Sequence, residues 1–338
     1  MVPSWNPATG RIEWTPVSYV YRHYIEDEIL EIETQGRGIV RVTKAHSLFV
    51  FRDGKIQVIP AKDIKPGDYI IITEKLPDTS EKITVKFKTQ RGVEVPLTPR
   101  VARLLGLLLA DGNINQERYV RVSLNPKDKH LINFVEETIR EEFKLHVTKY
   151  VRSPYDRQEV QLIVSSKPLA QILKESGLLA KGRQRRLPSW LFNAPREIKL
   201  AFLKGLIDGD GHIDKYGDIT LATRNEILAK QIVTLLLMLG INPTVVYNKE
   251  DILIRIGKSP ARTPTDAYYY LTGIKVEESQ KLRTEPTYGL PITKELKKIL
   301  VRAMNNKDIS YKPTQKSISK RKLKLVQDKG YQLPEGFY

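Results

Sequence analysis

A chain of 338 residues with 56 Lys/Arg against 39 Asp/Glu is long enough for two or three domains, and its net charge of +17 favours a polyanionic partner, nucleic acid first. The absence of Cys excludes a disulfide framework, a thiolate zinc site and a cysteine nucleophile, and five scattered His provide no metal-ligand spacing. The start, MVPSWNPATGR, has no apolar signal core, and the longest apolar runs, 104–110 and 232–239, fall far short of a bilayer span, so a soluble, intracellular protein is expected.

Along the chain, residues 1–80 read as all-β, with runs EILEIET, GIVRV, SLFVF and DYIIIT separated by Gly, Asp and Pro. A Lys/Thr-rich stretch with Pro96 and Pro99 opens a first α/β segment, 81–190, and a second, 191–290, repeats its plan. Each segment starts with a helix ending in Asp-Gly, followed by a strand (YVRVSL; DITLAT) and a polar turn holding Asn125 or Asn225. A long amphipathic helix comes next (HLINFVEETIREEF; EILAKQIVTLLLML), then two strands, then a further helix starting at Lys167 or Lys258. The last segment, 291–338, is basic and interleaved with Tyr311, Tyr331 and Tyr338. It reads as a helical module that tracks phosphates or as a solvated tail.

The two copies align as ARLLGLLLADGNI (102–114) over AFLKGLIDGDGHI (201–213). Ala102, Gly106, Ala110, Asp111 and Gly112 stand opposite Ala201, Gly205, Gly209, Asp210 and Gly211, an offset of 99. Small residues every four positions give each helix a stripe nearly free of side chain, along which two helices approach closely. Packed so, the pair holds Asp111 and Asp210 together at one end. Adjacent carboxylates repel unless they share a proton or a cation, which implies a metal site. A lone small-residue helix is ordinarily core, and a lone Asp-Gly a turn; their recurrence in one register within a basic chain favours the site. Asp208 is left out of it, because the first copy has Leu109 there.

These two segments resemble the LAGLIDADG signature of homing endonucleases in its two-copy, single-chain form. A second resemblance covers 1–80. Thr43-Lys44-Ala45-His46 is similar to the Thr-x-x-His block of intein splicing (Hint) domains, and Asp63–Asp68 to the Gly-Asp turn that follows. The block order is similar to that of archaeal DNA polymerase inteins. The implied fold is α+β: two pseudo-symmetric αββαββα half-domains with saddle-shaped antiparallel sheets, a partial Hint-like all-β domain before them, and a basic helical segment after. No splicing nucleophile stands at the start and no His-Asn pair at the end, so splicing incompetence is expected. Thr43 and His46 would be a remnant, with His46 buried in the β core.

The resemblance implies a site-specific double-strand DNA homing endonuclease. It would hydrolyse phosphodiesters across the minor groove of a long site, acting as a cytoplasmic, nucleoid-associated monomer that needs no protein or membrane partner. Asp111 and Asp210 would hold Mg²⁺, with Mn²⁺ able to substitute, and the carbonyls of Ala110 and Gly209 are candidate further ligands. Family members add a basic residue to each active site. Its position three residues before a Pro selects Arg185, where Lys is usual, and the second half places it at Lys281, with Lys275 as the fallback. An ordinary phosphate-contacting cation is the competing role for both. Tyr119, Arg121, Ser123, Tyr150 and Arg152 would face the duplex, supported by Lys181, Arg183, Arg186, Lys258, Arg283, Lys320, Arg321 and Lys322. The other reading is a non-cleaving DNA- or RNA-binding regulator or maturase on the same scaffold.

Overall fold

The computed structural model describes residues 1–6, 8–22, 24–34, 36, 38–79, 85–89, 92–152, 159–257, 271, 290–291, 294–303, 317–318, 323 and 326–333. The chain opens with hairpin β1 (Val2–Asn6) and β2 (Arg11–Thr15). Hairpin β3 (Ile29–Thr34) and β4 (Gly38–Thr43) follows, then an antiparallel sheet of β5 (Ser47–Arg52), β6 (Lys55–Pro60) and β7 (Tyr69–Ile70) with β5 central. Short strands β8 (Lys86–Lys88) and β9 (Glu94–Pro96) lead into α1 (Pro99–Asp111), β10 (Gly112–Asn115) and β11 (Tyr119–Leu124). Next come α2 (Lys129–Glu141), β12 (Val147–Arg152), β13 (Glu159–Ser165), α3 (Lys167–Glu175) and α4 (Ser189–Asn193). The second half repeats as α5 (Arg196–Asp210), β14 (Gly211–Ile213), β15 (Ile219–Thr223), α6 (Glu226–Met238), β16 (Thr244–Tyr247) and β17 (Ile252–Ile256). Two-residue strands β18 (Leu290–Pro291) and β19 (Ser317–Ile318) pair with each other, and α7 (Lys294–Ala303) lies between them in sequence.

The chain forms two compact units, each discontinuous in sequence: Met1–Ser18 with Glu74–Gln280, and Tyr19–Thr73 with Lys281–Tyr338. The segments expected at 1–80, 81–190, 191–290 and 291–338 run consecutively, so the compact units are drawn differently. Packing explains the difference. Phe51 of β5 is buried with Leu296, Leu300 and Ala303 of α7 and with Leu323, Val326 and Leu333. Residues 29–70 are all-β apart from one 3-10 turn at 61–63, as the alternating runs indicate. The expected Gly-Asp turn is also present: Asp68 accepts from Arg52 Nε (3.1 Å) and Nη2 (2.5 Å) and from the Lys65 amide. The Arg52 guanidinium holds the Asp68 carboxyl below its ordinary range. His46 departs from expectation. It is exposed, in the turn between β4 and β5, where its backbone is bonded to Thr43 and Ala61.

The larger unit contains the repeat. Its sheets have matching orders, β10-β11-β13-β12 and β14-β15-β17-β16, antiparallel throughout. Alternation fixes their faces: Val120, Val122 and Leu124 are buried, as are Ile219 and Leu221, while the residues between point outward. Leu131 and Val135 of α2 and Leu169 of α3 cover the first inner face, and Leu228 and Leu235 of α6 belong to the same continuous core. Thr98 caps α1 through the Val101 amide, and Asn225 caps α6 through the Leu228 amide.

The larger unit also holds an ion pair that the apolar pattern gives no hint of. Lys199, on the inner face of α5, is fully buried and its ammonium pairs with Asp78. Asp78 lies on the segment that also ties Leu76 to the Leu237 carbonyl and Thr79 to Phe192. Asp78→Ala deprives a buried charge of its carboxylate and is expected to cost about 3 kcal/mol, read as a drop in urea midpoint. Asp78→Leu combined with Lys199→Met should recover most of that loss.

Candidate metal centre at the helix seam

Helices α1 and α5 pack along their small-residue stripes in a reciprocal way. A side chain at Gly106 would overlap the Phe202 carbonyl and lie 2.8 Å from the Leu206 nitrogen. One at Gly205 would overlap the Arg103 carbonyl and lie 2.9 Å from the Leu107 nitrogen. Phe202 and Leu206 stand 99 positions after Arg103 and Leu107, so the seam obeys the offset of the repeat. Arg103 crosses it, donating from Nε to Asp208 (2.7 Å) while its guanidinium stacks 4.3 Å from the Phe134 ring centre. Asp208 therefore forms an ion pair across the seam.

At the end of the seam the two motif aspartates meet. Burial pushes the Asp111 carboxyl up to about 6, and the neighbouring Asp210 charge pushes the same way, while Arg185 opposes both. Burial likewise raises Asp210 above its ordinary value, again opposed by Arg185. Space for the pair comes from Gly209, where an added Cβ would stand 2.8 Å from Asp111 Oδ2 and 2.5 Å from the Ala110 methyl. The exits from both helices are tight without left-handed backbone. Gly112 (φ −86°) and Gly211 (φ −82°) are extended, and each is glycine because a Cβ would run into the preceding turn at Leu108 or Ile207.

Arg185 is the third member of the site. Its Nη1 donates to the carbonyls of Leu109 (2.5 Å) and Ala110 (3.2 Å), and its Nη2 donates to that of Gly112 (2.6 Å). These include carbonyls that the end of α1 leaves without intrahelical donors, so the guanidinium is a C-terminal cap carrying charge. One of them, Ala110, is a carbonyl expected to face a metal; here it accepts from Arg185. The Arg185 loop is itself anchored, because Asn225 Nδ2 donates to the Arg185 carbonyl (2.9 Å) and the Leu187 amide donates to Gln231 Oε1 (2.9 Å). Asn225 thus caps α6 and holds the loop at once, a role its place before a helical run only half reveals. Arg185→Ala should destabilise the protein by about 2 kcal/mol in a thermal melt, since three carbonyls lose their donors. Arg185→Lys, with one ammonium for the fork, should restore under half of that.

The other expected site residues divide clearly. Asn113, Arg121, Ile163 and Thr148 form one row across the first sheet, and Ser123, Gln161 and Tyr150 the next, all on the outward face. Tyr119 lies opposite Ser165 on that face, and Arg152 takes the register position opposite Glu159. Arg121 Nε is buried and meets no hydrogen-bond partner among the described residues. Lys181 and Arg183 are exposed, whereas Arg186 turns inward, donating to the Arg183 and Arg185 carbonyls (2.7 Å each). Lys258, Lys275, Lys281, Arg283, Lys320, Arg321 and Lys322 lie outside the described residues. No helix among the described residues is long and apolar enough to cross a membrane.

The donor set suits a hard divalent cation: two neighbouring carboxylates, with Asp210 raising the proton affinity of Asp111, and a glycine at 209 that leaves room beside Asp111. Among the described residues no third Asp, Glu or His joins them.

Residues 98–177 and 197–261 match the family model described as "LAGLIDADG-like domain". The chain is 29% identical to Transcription initiation factor IIB of Methanocaldococcus jannaschii over 72% of its own length and 31% of that protein. It is 30% identical to a DNA polymerase of Thermococcus hydrothermalis over 69% of its length and 14% of the polymerase. The chain thus spans less than a third of either protein. A solved structure of mesophilic variants of the homing endonuclease I-DmoI is 17% identical, with TM-score 0.40, covering 54% of this chain and 99% of that one.

Proposed function

From the premise that residues 98–177 and 197–261 of this one chain are LAGLIDADG-like domains, we propose a site-specific double-strand DNA endonuclease of the homing type. The observation that carries this reading is the pairing of Asp111 and Asp210 at the end of a pseudo-symmetric seam, both carboxyls raised by burial. Asp111 and Asp210 would hold Mg²⁺ or Mn²⁺. A bound ion would add positive charge beside the scissile phosphate and lower the pKa of the attacking water. Gly209 keeps both carboxylates within reach of one centre, and Arg185 supplies fixed positive charge while steadying the α1 terminus that bears Asp111. With the two-fold partner built into the chain, a monomer would address both strands across the minor groove.

Two proteins as different as a transcription factor and a polymerase match this chain over a minor part of their lengths, which supports an element that inserts into unrelated hosts. Within that reading, Thr43 at the end of β4 and the exposed His46 that follows serve as scaffold rather than splicing machinery, and the protein works in the cytoplasm on chromosomal DNA. Arg185 favours a second reading. It stands where the family usually has Lys and spends its donors on carbonyls, as suits a binding protein that does not cut.

Incubation with a random-site duplex library in Mg²⁺, followed by sequencing of the ends, separates the two readings. One long site cut on both strands supports the nuclease. A site enriched by binding yet left intact in Mg²⁺ and Mn²⁺ supports the binding protein.

A further inference from the structure

The two outward sheet faces occupy equivalent places in the repeat, but their chemistry differs. In the first sheet, one row across β11, β13 and β12 is Ser123, Gln161 and Tyr150, a donor or acceptor at each step. The equivalent row across β15, β17 and β16 is Ala222, Leu253 and Val246. This second row is not core. Its neighbours Leu221, Ile254 and Val245 are buried on the inner face, whereas Ala222 is exposed and Leu253 and Val246 are half-buried. Nor is it a general apolar surface, because the adjacent row places Thr220 beside exposed Arg255.

Resting on the endonuclease reading, we infer that the second half-domain selects its half of the target through thymine 5-methyl groups in the major groove, while the first selects by hydrogen bonds. The major groove offers one apolar group, the thymine methyl, among donors and acceptors. An aliphatic row pressed into it buries that methyl favourably and leaves the polar edges of the other bases without partners. Arg255 beside the row, in a chain of charge +17, points to nucleic acid rather than an apolar protein surface as the occupant.

The test starts from a duplex selected by the full chain. Since the chain has no Cys, Ala222→Cys carrying an iron–EDTA reagent marks which half-site faces the second sheet. Thymines are then replaced by deoxyuridine, which lacks only the methyl, in one half-site at a time, and affinity is measured in Ca²⁺ at fixed salt. Uracil in the half facing the second sheet should weaken binding about five-fold per contacted base, and in the other half less than about two-fold. Leu253→Ala combined with Val246→Ala should erase the thymine preference.

Equal effects in both halves, or none in the second, overturn the inference while leaving the endonuclease reading standing. A chain that selects no duplex overturns both. Binding of a protein instead of DNA through the Leu253 row would overturn the inference as well.

Discussion

Asp111→Asn and Asp210→Asn are each expected to lower double-strand cleavage by about 10³-fold, because each removes one of the two charges that would hold the cation. Affinity for the duplex in Ca²⁺ should stay within a few-fold, since the outward sheet faces are untouched. The same substitutions carry a second signature that needs no activity. Asp111 has a folded pKa of about 6 against an ordinary 3.8, so the fold is favoured by its protonation. That contribution is complete below about pH 4 and is lost as pH rises through 6. At pH 7.5 the metal-free protein therefore carries an ionised, half-buried Asp111 beside Asp210. Asp111→Asn should raise its stability by roughly 1 kcal/mol after discounting for partial exposure. The gain should shrink as pH falls from 6 toward 4. A loss of stability on Asp111→Asn at pH 7.5 without metal would show that the aspartates are not in conflict.

The second large effect concerns the seam. Gly106→Leu and Gly205→Leu each drive a side chain into the backbone of the opposing helix, where no rotamer gives relief, and should cost about 3–5 kcal/mol. For a unit of this size that corresponds to a drop in melting temperature of roughly 10 °C. Gly92→Ala is the comparison. Its φ of +73° strains an alanine, but open space surrounds it, so the loss should stay near 1 kcal/mol. If the seam variants melt like Gly92→Ala, the helices do not pack through these glycines.

Much of this was legible in the residues, because it depends on local period. The small-residue stripe, YVRVSL as β11, and the runs that became α2 and α6 fall within a residue or two of their expected places. The union of the two aspartates was legible as well, since a repeat with one offset forces equivalent residues together across a two-fold seam. Less accessible were features set by which distant segment supplies a partner. Nothing in SLFVF announces that Phe51 packs against α7, more than 240 positions later. Lys199 reads as a polar interruption of a helix until Asp78 is seen beneath it. Arg185 was selected by its spacing to Pro188, but three carbonyls in its fork depend on where a loop after a 3-10 turn lands. The sequence places His46 inside the β core, yet the turn that carries the chain from β4 to β5, strands of two different sheets, leaves it exposed.

The most direct test of the central claim is addition of Mg²⁺ to a preformed complex of the protein with its selected duplex, the two strands carrying different labels and resolved on one gel. Both labels should shorten, at positions a few nucleotides apart, and Asp111→Asn with Asp210→Asn should leave both intact. Tight, sequence-specific binding with both strands uncut in Mg²⁺ and in Mn²⁺ would contradict that claim.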